Sequence, residues 1–133
     1  VRHQRGADLG ERMACAFADR LVHYRKVVLI GSDCPALTPD HLRQALRALD
    51  QVPAVLGPAA DGGYVLIGLS KPMPELFRDV PWGSARVLEV TRARLSEAGR
   101  GWWELEVLPD IDRPGDLRHL AGIENLDFFA KNQ

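Results

Sequence analysis

Residues 27–37, VVLIGSDCPAL, constrain the fold of this chain more than any other stretch. Val27, Val28, Leu29 and Ile30 form an unbroken apolar run, without the alternation of a strand that has one wet face. Such a run belongs to a strand covered on both faces, the habit of a central strand in a parallel sheet. Gly31 and Ser32 break the run and Asp33 follows directly. That sets a carboxylate just past the carboxyl end of a strand, where open α/β sheets bind their ligands. Asp33 keeps two readings here: a turn residue bonding its own backbone, or a site residue. Cys34 and Pro35 bend the chain away, and Thr38-Pro39 restarts it as a helix.

A chain of 133 residues suits one domain that buries about two-thirds of its unfolded surface. Net charge is −1, so no basic excess points to nucleic acid or to an anionic membrane surface. No apolar run reaches the length of a membrane span or a signal-peptide core, and a cytoplasmic location is expected. Cys15 and Cys34 are not in metal-binding or redox spacing and are expected to be reduced thiols, with buried packing the role of Cys15.

In chain order, the spacing of Leu9, Met13, Phe17 and Leu21 predicts an amphipathic helix over 8–21. Asp8 and Glu11 would form its capping box after a loop at 4–7. The strand at 27–31 precedes a helix over 39–50, capped by Thr38 and started by Pro39, with Leu42, Ala45, Leu46 and Leu49 buried and His41 on the surface. His3, His23 and His119 make no metal-ligand pattern with it. Residues 54–69 hold two strand-like runs about Asp61-Gly62-Gly63. This break is either a hairpin turn or a loop whose glycines let a ligand approach, with Tyr64 and Ile67 lining it. Residues 71–83 read as loop, anchored by Leu76 and Phe77. Trp82 is there a packing plug or a ligand platform. A helix capped at or near Ser84 runs to about 98, a strand covers 102–108, and Leu126, Phe128 and Phe129 make the tail a docked segment or a partner surface. Strands alternate with helices. The fold class is therefore α/β, with a mixed and mostly parallel sheet and helices on both faces.

Asp110 and Asp112 follow the strand at 102–108 as Asp33 follows the strand at 27–31. If the two strands are parallel within one sheet, these acids converge on its carboxyl edge. Two carboxylates about 4 Å apart repel by about 4 kcal/mol at an effective dielectric near 20, so the pair calls for a proton or a cation. All-oxygen ligands favour Mg²⁺ or Mn²⁺, which suits chemistry at a nucleotide's phosphates. The plainer role for Asp110 or Asp112 is to cap the helix that follows.

Five ordered blocks, GADLGERMACAF, VVLIGSDCPALTP, LGPAADGGYVLIGL, PWGSARVLEVT and LPDIDRPGDL, are spread over nearly the whole chain, from about Gln4 to Leu117. Together they resemble the bacterial GT-A glycosyltransferase-like family long known only as a domain of unknown function, also called the radical-SAM/selenodomain-associated transferase family. The resemblance implies a nucleotide-diphospho-sugar transferase-like, Rossmann-like fold. It implies that Ser32 and Asp33 bind the donor's diphosphate, that Asp33 and Asp112 hold Mg²⁺ or Mn²⁺, and that Asp61 is a general base or acceptor contact. Gly62, Gly63, Tyr64, Trp82 and Ser84 would be substrate-binding. The sequence departs from the family in three places. The family opens with a strand and a basic, glycine-bearing loop that bind nucleotide, and this chain, starting at Val1, begins after them. Gly83-Ser84 stands for the usual Ser-Thr, and Arg113 and Gly115 stand for Thr and Glu. A single GT-A-like domain short of its opening βαβ unit bares a strand edge, and a homo-oligomer is expected to cover it.

Three activities fit this reading. The first is a metal-dependent glycosyltransferase moving a sugar from a nucleoside diphosphate donor to a small acceptor. The second is a nucleotidyltransferase acting on a phosphorylated small molecule. The third is a non-catalytic remnant that oligomerises.

Overall fold

The structure, a computed structural model, describes residues 5–31, 37–107 and 126–131, with the backbone alone for 5–8 and 126–131. Its elements are α1 (Arg5–Arg20), β1 (Lys26–Gly31), α2 (Pro39–Ala48), β2 (Ala54–Pro58), β3 (Tyr64–Leu69), a 3₁₀ turn (Pro74–Phe77), α3 (Val87–Glu97), β4 (Trp102–Glu104) and β5 (Leu126–Lys131). The five strands form one sheet in the order β4-β2-β3-β1-β5.

The class is α/β with a mixed sheet, as the alternation of elements predicts. Within the sheet the expected parallel majority gives way. Among the described residues β1–β3, β1–β5 and β2–β3 pair antiparallel, and β2–β4 alone pairs parallel. The physical reason is that an apolar run covered on both faces looks the same in either orientation. The hairpin joining β2 to β3 inserts one reversed strand between β1 and β2. β1, β2 and β4 still run in a common direction, so their carboxyl ends share one rim.

Helices cover both faces, as expected. On one side α1 and α3 pack Leu9, Met13, Phe17, Val87 and Leu95 against Val27, Leu29, Leu56, Ile67 and Leu69. On the other, α2 packs Ala45 and Leu49 against Val28, Val55 and Leu66. Alternate residues of β1 thus enter two different cores. Burying one such side chain is worth about 1.5–3 kcal/mol, so the three fully buried anchors of α1 outweigh its local helix signals.

Those local signals mislead at several helix ends. α1 begins at Arg5, which places Asp8 inside its first turn rather than at a cap and makes 5–7 helical. Cys15 is exposed, because it falls off the Leu9–Met13–Phe17 stripe. α2 ends at Ala48 and has the Thr38 cap. His41, expected at the surface, is buried at 7% exposure. α3 begins at Val87 behind Arg86, with no side-chain cap. Ser84 instead accepts the Arg86 amide at 3.1 Å in the turn before it.

β4 is three residues long, shorter than the strand expected over 102–108. The tail is docked: β5 pairs with β1 from Lys26↔Lys131 to Gly31↔Leu126. β1 is thereby an inner strand of the described sheet, between β3 and β5.

Candidate functional site at the hairpin rim

β3 starts where β1 and β2 end, since Ile30 pairs with Leu66 and Pro58 with Tyr64. The β2–β3 turn therefore stands on the rim that receives the carboxyl ends of β1, β2 and β4. The hairpin reading of residues 59–63 is the one the fold adopts. The Ala59 amide donates to the Gly63 carbonyl at 2.9 Å, and the Gly62 amide to the Ala59 carbonyl at 3.2 Å. Asp61 caps the turn with its own side chain, its Oδ1 accepting the Gly63 amide at 3.1 Å. This is the local backbone bond that makes Asp frequent in turns, and here it fixes the orientation of a half-buried carboxylate.

Gly62 carries the turn. Its φ is +96°, and a Cβ there would collide with the Ala85 carbonyl oxygen. This contact brings the turn against the segment leading into α3, and the Leu88 amide donates to the Gly62 carbonyl at 3.0 Å. One of the amides that α3 leaves without an intrahelical acceptor is satisfied by the hairpin tip.

The pairing of β2 with β3 slips by one residue at Gly57/Pro58, leaving Val65 as the extra residue of a bulge. A bulge re-aims the side chains beyond it. Tyr64 thus joins the core of α1 and α3, whereas Leu66, two residues on, faces α2. The Tyr64 ring meets Trp82 edge to face, with centroids 6.5 Å apart. Trp82 is half-buried against the same core, and its indole nitrogen lies over Gly10 of α1, where a Cβ would find it at 3.2 Å. Trp82 therefore packs as the outer layer over a buried Tyr64.

Tyr64 is 1% exposed, and among the described residues its hydroxyl makes no hydrogen bond of good geometry, the Thr91 hydroxyl being the polar group beside it. Burial pushes the phenol's pKa well above its ordinary value, and the neighbouring Thr91 hydroxyl opposes this. Thr91 gives its own proton to the Val87 carbonyl at 3.0 Å. Tyr64 as placed is a floor beneath the rim.

The structure thus brings Asp61, Gly62, Gly63, Tyr64, Trp82 and Ser84 into one cluster built from the hairpin tip and the turns before α3. The remaining sequence candidates, Ser32, Asp33 and Asp112, lie outside the described residues, as do Cys34 and Asp110. Among the described residues no group of three or more His, Cys, Asp and Glu is placed to hold a metal ion. Two contributors to the cluster, Leu88 through its amide and Thr91, carry no functional signal in the sequence; each looks like a helix-face residue.

The sequence profile of a family of uncharacterized proteins conserved in bacteria, DUF2064, matches residues 1–84. The chain belongs to this family. A crystal structure described as a "putative nucleotide-diphospho-sugar transferase" from Desulfovibrio desulfuricans G20 superimposes with a TM-score of 0.72 at 31% identity, covering 86% of this chain. The chain spans 58% of that structure's length. No curated protein matches it. The fold is nucleotide-diphospho-sugar transferase-like, in keeping with the resemblance carried by the five sequence blocks. No helix among the described residues is long and apolar enough to cross a membrane.

Proposed function

We propose that this family member is a cytoplasmic, metal-dependent glycosyltransferase, moving a sugar from a nucleoside diphosphate donor to the hydroxyl of a small acceptor. The observation that carries the proposal is directional: β1 and β4 run the same way, so the chain leaves both strands at the rim where the Asp61 turn stands. Asp33 lies two residues past Gly31, and Asp112 eight residues past Glu104. β1 and β4 are separated by two intervening strands, which amounts to about 14 Å across the sheet. Eight residues can span up to about 26 Å. Chain length alone therefore allows Asp112 to reach Asp33.

In this proposal Ser32 and Asp33 receive the donor's diphosphate, and Asp33 and Asp112 hold Mg²⁺ or Mn²⁺. The ion would neutralise charge on the departing nucleoside diphosphate. Asp61, oriented by the Gly63 amide, takes the proton from the acceptor hydroxyl. Gly62 and Gly63 form the turn that presents Asp61 to the acceptor, Trp82 and Ser84 border it, and Tyr64 supports Trp82 from below.

The test is binding and turnover together. Thermal shifts with nucleoside diphosphates, triphosphates and nucleotide sugars, with and without Mn²⁺, are expected to single out a nucleotide sugar plus metal. Slow donor hydrolysis should accompany binding and disappear in Asp33→Ala. Pyrophosphate release from a triphosphate would replace this reading with nucleotidyl transfer. No shift with any nucleotide would leave a non-catalytic domain.

A further inference from the structure

The entrance to α2 is closed by an arrangement that the proposed transfer does not use. Thr38 caps the helix: its Oγ1 accepts the His41 amide at 3.4 Å, and its own amide donates back to His41 Nδ1 at 3.0 Å. This is a capping box in which histidine stands where glutamate or glutamine is usual. A backbone amide can only donate, so Nδ1 must be the unprotonated nitrogen. The ring's proton then sits on Nε2, which faces the Glu106 carboxylate at 3.3 Å. A carboxylate only accepts. Two partners on opposite sides of the ring therefore demand the same neutral tautomer.

We infer that His41 is a proton-sensitive latch on the Thr38 cap of α2. A proton added to Nδ1 sets two N–H groups against each other across the 3.0 Å contact, and the Thr38 amide loses its acceptor. The new Nδ1–H turns to Thr38 Oγ1, 2.9 Å away, which already accepts the His41 amide. One half of the box opens. The charged groups facing the ring are Glu106 from the segment after β4 and Asp40 from its own helix, the latter also bonded by Arg43 and Gln44. β1 and β2, on which α2 packs, present apolar Val28 and Val55. Neither acid is bonded to the Thr38 amide, which donates to His41 Nδ1. The switch is thus local to one hydrogen bond.

Backbone amide exchange and ring ¹⁵N shifts test this directly. At about pH 8 the ring shifts should report the Nε2–H tautomer, and going to about pH 5 crosses the ordinary histidine range. The Thr38 protection factor, corrected for intrinsic exchange, is expected to fall on the order of fivefold, the factor to which a typical cap corresponds. His41→Gln keeps the box and cannot titrate, so its Thr38 protection should stay flat. Glu106→Gln should retain the fall. A flat wild-type profile, an equal fall in His41→Gln, loss of the fall in Glu106→Gln, or an Nδ1–H tautomer would each overturn the latch.

Discussion

Leu88 donates its amide proton to the carbonyl of Gly62 at 3.0 Å, tying the first turn of α3 to the tip of the β2–β3 hairpin. The bond forms because Gly62 takes a φ of +96° and leaves room for the Ala85 carbonyl. Gly62→Ala violates both conditions at once. It is expected to destabilise the protein by about 1–3 kcal/mol, the range for a side chain forced into a left-handed backbone. Urea unfolding followed by tryptophan fluorescence measures it. A loss below about 0.5 kcal/mol, the size of a neutral surface change, would mean that the hairpin tip is not held against α3.

Tyr64 offers an effect of the opposite sign. Its hydroxyl lies in a sealed site and makes no hydrogen bond of good geometry among the described residues, Thr91 being its one polar neighbour there, and an unsatisfied buried polar group costs about 1–3 kcal/mol. Tyr64→Phe is expected to raise stability by about 1 kcal/mol near neutral pH. The alkaline limb adds a second check. Burial raises the phenol's pKa in the folded state, so the folded chain holds that proton more tightly than the unfolded chain does. Stability is then intact below the ordinary phenol value of about 10 and falls as pH rises past it. The gap between Tyr64→Phe and wild type should widen above about pH 10; a constant gap would place the phenol in contact with water.

How much of this was legible in the sequence depends on the range of the interaction. The both-face burial of β1 was visible in Val27–Ile30, because four apolar residues in a row leave no face for water. Strand direction was not, since it is settled by which strand the hairpin inserts between β1 and β2. Asp61-Gly62-Gly63 announced a turn; that the turn leans on α3 depends on Ala85 and Leu88, about 25 residues away in the chain, and no local pattern encodes it. Tyr64 looked like a lining residue because strand alternation assumes no bulge, and the extra Val65 sends its ring into the core. His41 reads as a surface residue because a first-turn position is usually wet. The T-x-x-H spacing was the missed signal.

Arg94 organises the turn before Trp82. Its guanidinium donates to the carbonyls of Glu75 at 3.0 Å, Arg78, and Asp79 at 3.4 Å, gathering the exit of the 3₁₀ turn where Asp79 has a φ of 53°. A lysine ammonium lacks the planar fork that reaches several acceptors in a fixed geometry. Arg94→Leu is expected to cost about 1–3 kcal/mol, with Arg94→Lys recovering less than half. Trp82 emission should shift to the red in the leucine variant as its loop loosens. An unchanged spectrum with an unchanged unfolding midpoint would show that the carbonyls are equally well served by water.

Arg92 and Glu104 join α3 to β4 through two parallel 2.7 Å hydrogen bonds, Nε to Oε2 and Nη2 to Oε1. Trp102 Nε1 adds a third donor to Oε2 at 3.0 Å. The Arg92 guanidinium, and after it the Trp102 indole, hold the Glu104 carboxyl below its ordinary pKa against the opposing effect of partial burial. The side chains remain 43% and 27% exposed, so solvent screening limits the pair to about 0.5–1 kcal/mol. The sign follows from the lowered folded-state value: the stabilisation is present above the ordinary glutamate pKa of about 4.3 and is lost as pH falls through the lower, folded one. Glu104→Gln should therefore weaken the protein near neutral pH and converge on wild type in strong acid. Unfolding free energies of both proteins at about pH 7 and about pH 2, with Arg92→Met completing a double-mutant cycle, separate the contributions. A penalty for Glu104→Gln that persists unchanged into acid would assign the contact to neutral hydrogen bonding and packing against Trp102 rather than to charge.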